Sequence, residues 1–131
     1  MNSSKKIAQG YLFLKPFNRV YLPTNIQNII IKNYCEQNDL LLKLSVNEHN
    51  IKNCWMELFS LLKKKDTDII VMMSIYMLPD NKKDFIKFCK SLKKNEKHFF
   101  FFFENLKIKN INELKNKMNK FKLFKELNKF I

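Results

Sequence analysis

Apolar residues run almost without a break from Asp68 to Pro79, DIIVMMSIYMLP, bounded by charge before and proline after. A strand with one face in water alternates apolar and polar positions, and one covered on both faces need not. The run therefore predicts a central parallel strand over Ile69–Ile75. Ser74, Tyr76 and the turn to Pro79 then fall at its carboxyl end, where open α/β sheets place their ligands. Three more runs predict strands: Ile7–Leu14, Leu40–Val46 and His98–Phe103 (HFFFFF). Pro16 ends the first, because proline cannot donate to a sheet ladder.

Between these runs the period lengthens. Pro23 and Thr24 are expected to open a helix, with Thr24 as its cap. Ile26, Ile29, Ile30, Ile31, Tyr34 and Cys35 recur at helical spacing as far as Asn38 and Asp39. A second helix is expected to carry Ile51, Cys54, Trp55, Leu58, Phe59 and Leu62 on one face. A third opens at Asp80 and Asn81 with Phe85, Ile86, Cys89 and Leu92 inward. Asn110 caps a last helix whose stripe is Ile111, Leu114, Met118, Phe121 and Leu127.

The order is βαβαβαβα. Strands separated by helices imply right-handed crossovers and a four-stranded parallel sheet with helices on both faces. The fold class expected is a flavodoxin-like or resolvase-like single domain over residues 1–131, with residues 1–6 frayed. The fourth strand, last in the chain, is expected at a sheet edge. A bare apolar edge invites association, so either the last helix covers it, which is core packing and the safer reading, or a second subunit does. The sharper expectation is a homodimer through the fourth strand or the last helix.

At 131 residues one domain can bury a substantial core. No stretch approaches the ~18 apolar residues of a membrane span. The basic start leads only to YLFL before Lys15 interrupts, too short for a secretory signal, so a cytoplasmic location is expected. Cys35, Cys54 and Cys89 show no CxxC spacing and read as buried, inert thiols. The formal net charge of +13 invites an anionic partner. Nearly all of it is lysine, however, and Arg19 is the only arginine. Lysine travels here with asparagine, isoleucine and phenylalanine, all residues of A/T-rich codons. Base-reading proteins favour the arginine fork, so compositional drift ranks ahead of nucleic-acid binding.

Gly10 is the single glycine. That excludes both the GxGxxG fingerprint and the GxxxxGK phosphate loop, although a phosphate at a helix amino-terminus stays open. His49 and His98 are far apart and no Cys/His spacing suggests zinc; neither a metal nor a cofactor is expected. What remains is a ring of polar residues at expected strand carboxyl ends. It comprises Lys15, Asn18 and Arg19; Ser45, Asn47 and Glu48; Ser74 and Tyr76; and Glu104 and Asn105. In a parallel sheet these loops share one rim and can converge on a small anionic or hydroxylated ligand. Strand ends need polar loops in any case. Glu48 is the candidate general base and Arg19 the candidate anion anchor. His49 becomes a partner for Glu48 only if their loop folds back. Ser74 lacks a glycine-flanked elbow and reads as a hydrogen-bonded strand-end residue.

Five stretches occur together in order: GYLFLKPFNRVYLPTNIQNIIIKNYC, LLKLSVNE, NCWMEL, DIIVMMSIYMLP and FENLKI. Over about residues 10 to 108 this set resembles the sporadic carbohydrate cluster proteins, a family of short bacterial proteins. The matching positions are Gly10, Tyr11, Pro16, Phe17, Arg19, Val20, Pro23, Gln27, Asn28, Ser45, Glu48, Ser74, Leu78 and Pro79. Leu14 departs from a small polar residue, often serine, and Lys15 from arginine. Val46 and Asn47 depart from an alanine–threonine pair. The resemblance implies a setting in surface-carbohydrate biosynthesis with no assigned reaction, and it adds Gln27 and Asn28 to the ligand candidates. The layout is also similar to the catalytic domain of serine recombinases. Those enzymes need a serine where Leu14 stands and arginines where Ile75–Leu78 has none, so recombination chemistry is not expected. Three functions follow as expectations. The first is a component of a surface-carbohydrate cluster that binds a sugar or sugar phosphate at the rim. The second is a non-catalytic partner of a carbohydrate-cluster enzyme. The third is a basic nucleic-acid-binding domain of resolvase-like fold without the catalytic serine.

Overall fold

The structure, a computed structural model, describes residues 5–118. Five strands are present: β1 (Ile7–Leu12), β2 (Leu41–Asn47), β3 (Ile69–Met72), β4 (His98–Phe101) and β5 (Leu106–Ile108). The helices are α1 (Thr24–Gln37), α2 (Met56–Lys63), α3 (Lys82–Lys94) and α4 (Ile111–Met118), with a short 3-10 turn over Ile75–Met77. The sheet order is β2-β1-β3-β4-β5. The first four strands run parallel and β5 is antiparallel to β4.

The expected α/β sandwich is therefore present, with one strand more than the four anticipated. The chain reverses after β4 and lays Leu106–Ile108 along it, pairing Phe99 with Ile108 and Phe101 with Leu106. Both edges of β4 are thus occupied, and the expected dimer seam along that edge has no free ladder to use. β5 and β2 form the edges instead.

The two sheet faces are covered differently. On one, α1 sets Ile31 against Gly10 and Tyr34 on Phe100, ring centroids 3.9 Å apart and nearly parallel. On the other, Phe88 of α3 packs on Phe99 and α2 packs beside α3. α4 lies against α3 and β5. The phenylalanine run divides accordingly: Phe99 and Phe101 face α3, Phe100 faces α1, and Phe102 and Phe103 leave the sheet half-exposed. This alternation is the period of 2 that a strand imposes on neighbouring side chains.

β3 is buried along its whole length, as expected of a central strand. It ends at Met72, however, and Ile75–Met77 turn into the 3-10 segment, capped by Ser74 Oγ accepting from Tyr76 N–H at 3.2 Å. α2 starts at Met56, not Ile51. Asn53 takes a left-handed φ of 58°, which interrupts a helix and suits asparagine. Thr24 is the first residue of α1 and makes no capping bond. Asn81 and Asn110 do cap, accepting from the amides of Asp84 and Glu113, each at 2.9 Å. Phe121 and Leu127 of the expected last stripe lie outside the described residues. Among the described residues no helix is long and apolar enough to cross a membrane.

Gly10 meets a steric demand. β2 carries a bulge opposite β1, where the partner of Gln9 is Lys43 and that of Tyr11 is Val46. The extra residue turns Ser45 over Gly10. A Cβ at position 10 would overlap Ser45 Oγ and lie 3.0 Å from Ile31 Cδ1.

Candidate functional site

Three loops meet at the carboxyl ends of β1, β2 and β3. The first is shaped by a small hairpin: Phe17 and Val20 exchange N–H···O bonds of 2.9 and 2.8 Å across Asn18 and Arg19. Both turn residues have positive φ, 47° and 64°, the pairing that a two-residue turn of this hand requires. Behind it, the buried Gln27 amide donates to Leu22 O (2.7 Å) and Phe13 O (2.8 Å) and accepts from Phe13 N–H at 3.2 Å. Gln27 fixes the loop and faces away from solvent.

The second loop is organised by Glu48, which is buried. Oε1 accepts from the Tyr11 hydroxyl at 2.8 Å and from Leu58 N–H at 3.2 Å. Oε2 accepts from His49 N–H at 3.0 Å, and Glu57 N–H lies 3.1 Å from both oxygens. The carboxylate satisfies the first free amides of α2, which no residue of its own caps, in a position that the helix dipole favours. Burial, and then the neighbouring Glu48 charge, push the Tyr11 hydroxyl far above the usual phenol range. His49 pairs its imidazole with Glu57 at 3.1 Å rather than with Glu48. Every bond of Glu48 is internal, the geometry of a structural pin and not of a base open to substrate.

The third is pinned in a similar way. Glu104, just past β4, accepts from Ser74 Oγ at 2.7 Å and from Ile75 N–H at 2.9 Å. Trp55 Nε1–H donates to Met77 O at 3.3 Å, tying the start of α2 to the 3-10 turn.

Between these pinned loops lies a cavity of about 460 Å³. Phe13, Pro16, Phe17 and Trp55 form its apolar wall, and Lys15, Lys52, Asn18, Asn50, Asn53, Tyr76 and Asp80 complete it. Lys15 is held in place: its Nζ donates to Ile51 O at 3.0 Å and stands 5.1 Å from the Phe13 ring centroid and 5.6 Å from that of Trp55. An ammonium has three donors, and that single bond to Ile51 O leaves others for a ligand.

Of the residues singled out from sequence, the structure brings Lys15, Asn18 and Tyr76 to this cavity. Arg19 sits exposed at the hairpin tip, outside the lining. Ser45 and Asn28 meet elsewhere, in a groove of about 600 Å³ along β2 and α1. Gln27, Glu48, Ser74 and Glu104 are engaged in holding loops. Lys52, Asn50, Asn53, Trp55 and Asp80 were not among the candidates. For Lys52, Asn53 and Trp55 the signal was the asparagine-rich string NEHNIKNCW, a turn composition that a helical phase drawn through Ile51, Cys54 and Trp55 concealed. Cys35 and Cys89 are buried, and burial pushes both thiols up to about 11.

No protein-family model matches this chain, and no curated protein matches it. Among solved structures, the N-terminal catalytic domain of TP901-1 integrase superposes with a TM-score of 0.66, covering 88% of this chain and 96% of that one at 13% identity. The fold is resolvase-like. At that identity the likeness concerns architecture alone. Leu14, in the loop after β1, presents a partly exposed aliphatic side chain. Among the described residues no group of three or more His, Cys, Asp or Glu side chains is placed to hold a metal ion.

Proposed function

We propose that the rim cavity binds a sugar or sugar phosphate, and that the protein serves the biosynthesis of a bacterial surface carbohydrate, the setting of the family it resembles. The observation that carries this reading is the cavity's lining. Aromatic walls suit the C–H face of a pyranose, asparagine amides can donate to and accept from hydroxyls, and Lys15 and Lys52 supply positive charge for a phosphate. Among the described residues the lining contains no serine or cysteine paired with a base, and Asp80 is its only carboxylate. The reading is therefore of a binding site, not of covalent catalysis.

Thermal-shift titration tests it, because a ligand of the native state raises the melting temperature with the logarithm of its concentration. Hexose phosphates are expected to stabilise the protein, and Lys15→Ala and Lys52→Ala to remove the effect without lowering the ligand-free melting temperature. Equal shifts in wild type and both variants would contradict the assignment.

A second reading, association with another copy or with a carbohydrate-cluster enzyme, has its own support. Beside α1 an open groove of about 730 Å³ runs over Ile30, Tyr34, Phe100 and Phe102. A mass in solution that is dimeric in wild type and monomeric in Phe102→Glu would favour it; a monomer in both would count against a homodimer.

A further inference from the structure

The lysines are not distributed evenly over the helices. α1 has one lysine, Lys32, in fourteen residues, while α3 has six in thirteen. Compositional drift alone would load both alike. Lys87, Lys90 and Lys94 recur at spacings of three and four, so they form a line along α3 of roughly 10 Å.

That line borders a seam. Between α2 and α3 lie two cavities, of about 580 and 280 Å³, which share Phe59, Lys63 and Lys87 in their walls. The larger also shares Lys52, Asn53 and Trp55 with the rim cavity. The three form one trough from the sheet's carboxyl end to Asn95. Lys52, Lys63, Lys87, Lys90 and Lys94 line the seam and are exposed. Among the described residues Asp84 is the only carboxylate in the walls of the two seam cavities, and it already accepts from Asn81 Nδ2–H at 2.8 Å. None of these five lysines has a salt bridge among the described residues.

We propose that this trough seats an extended acidic glycan whose end unit occupies the rim cavity; the second clause rests on the sugar-binding reading above. Charge of one sign along a groove concentrates a polyanion of the other. Two features favour a glycan over a single-stranded nucleic acid. Beyond the rim, among the described residues, the seam's one aromatic is Phe59, which lies under Lys87 with Nζ 4.9 Å from its ring centroid, so no row of open rings is there to stack successive bases. Amides and hydroxyls (Asn53, Ser60, Ser91 and Asn95) alternate with the lysines, matching a chain that carries hydroxyls as well as charge. Arg19, the only arginine, stands outside the trough.

Fluorescence anisotropy of the full chain with labelled oligogalacturonate, a neutral maltooligosaccharide and oligothymidylate tests the proposal. Oligogalacturonate is expected to bind at low salt and weaken as salt rises, with little binding of the neutral oligomer. The triple change Lys87→Gln, Lys90→Gln and Lys94→Gln should weaken it about tenfold, while Lys32→Gln on α1 leaves it unchanged. Circular dichroism confirms that the surface variants fold. Unchanged affinity in the triple variant would overturn the trough, and tighter binding of oligothymidylate would overturn the glycan assignment. Loss of the hexose phosphate response with oligomer binding intact and lysine-dependent would refute the rim reading alone and leave the trough standing.

Discussion

The two faces of this sheet are built on opposite terms. Among the described residues the α1 face is covered by a single helix with one lysine, set close against Gly10 under the Ser45 bulge, and it leaves Tyr34 and Phe100 beside an open groove. The other face carries α2 and α3, with α4 against α3 and β5, a lysine-lined seam and a buried carboxylate, Glu48, at the start of α2. Steric fit decides the first, and charge and hydrogen bonding the second. A polyanion has a reason to choose one face, and an apolar partner the other.

The largest test of this contrast is Glu48. Removing its carboxylate leaves the Tyr11 hydroxyl and the first amides of α2 buried without a partner. Glu48→Ala is expected to cost about 3 kcal/mol or more, read as a fall in unfolding free energy by urea titration. A change under 1 kcal/mol would mean that α2 is held by its packing alone.

On the other face Gly10→Ala is expected to cost about 2 kcal/mol through overpacking. Because the first overlap is with Ser45 Oγ, the double variant Gly10→Ala/Ser45→Ala should recover part of that loss. Strict additivity in the cycle would show that the close approach to Ser45 is not the cause.

A smaller effect compares the faces through pH. Each buries one cysteine, Cys35 on α1 and Cys89 on α3, with thiols moved from the ordinary 9.0 up to about 11 by burial. Unfolded thiols lose their protons first, so the folded state holds more protons across that interval and stability falls as pH rises through it. Cys35→Ala and Cys89→Ala should each flatten the decline between pH 9 and 11. An unaltered slope in both would assign the alkaline loss to other groups.

Much of the architecture was legible because its signals are long. The buried run of β3 and the helical repeats of α1 and α3 could be read directly from periodicity. β5 could not, since Leu106-Lys107-Ile108 is three residues of alternation that any loop can show. The end of β3 was hidden for a different reason. Met73 and Ile75 are buried whether the backbone is strand or turn, so hydrophobicity does not mark the change. The site divides in the same way. Lys15 and Tyr76 followed from the rule that loops at strand carboxyl ends converge. The inward roles of Glu48 and Gln27 depend on backbone amides brought near by the fold, and the residue types alone do not announce them. Lys52 and Trp55 were obscured by an extrapolated helix that Asn53 interrupts.

Trp55 is the only tryptophan in the chain and lines the rim cavity, so its fluorescence reports directly on the central claim. Titration with a hexose phosphate should give a saturable change in wild type that is lost in Lys15→Ala. That variant should alter stability by only about 0.5 kcal/mol or less. An emission spectrum that stays flat with every sugar phosphate, or an identical titration in Lys15→Ala, would contradict the rim as the binding site.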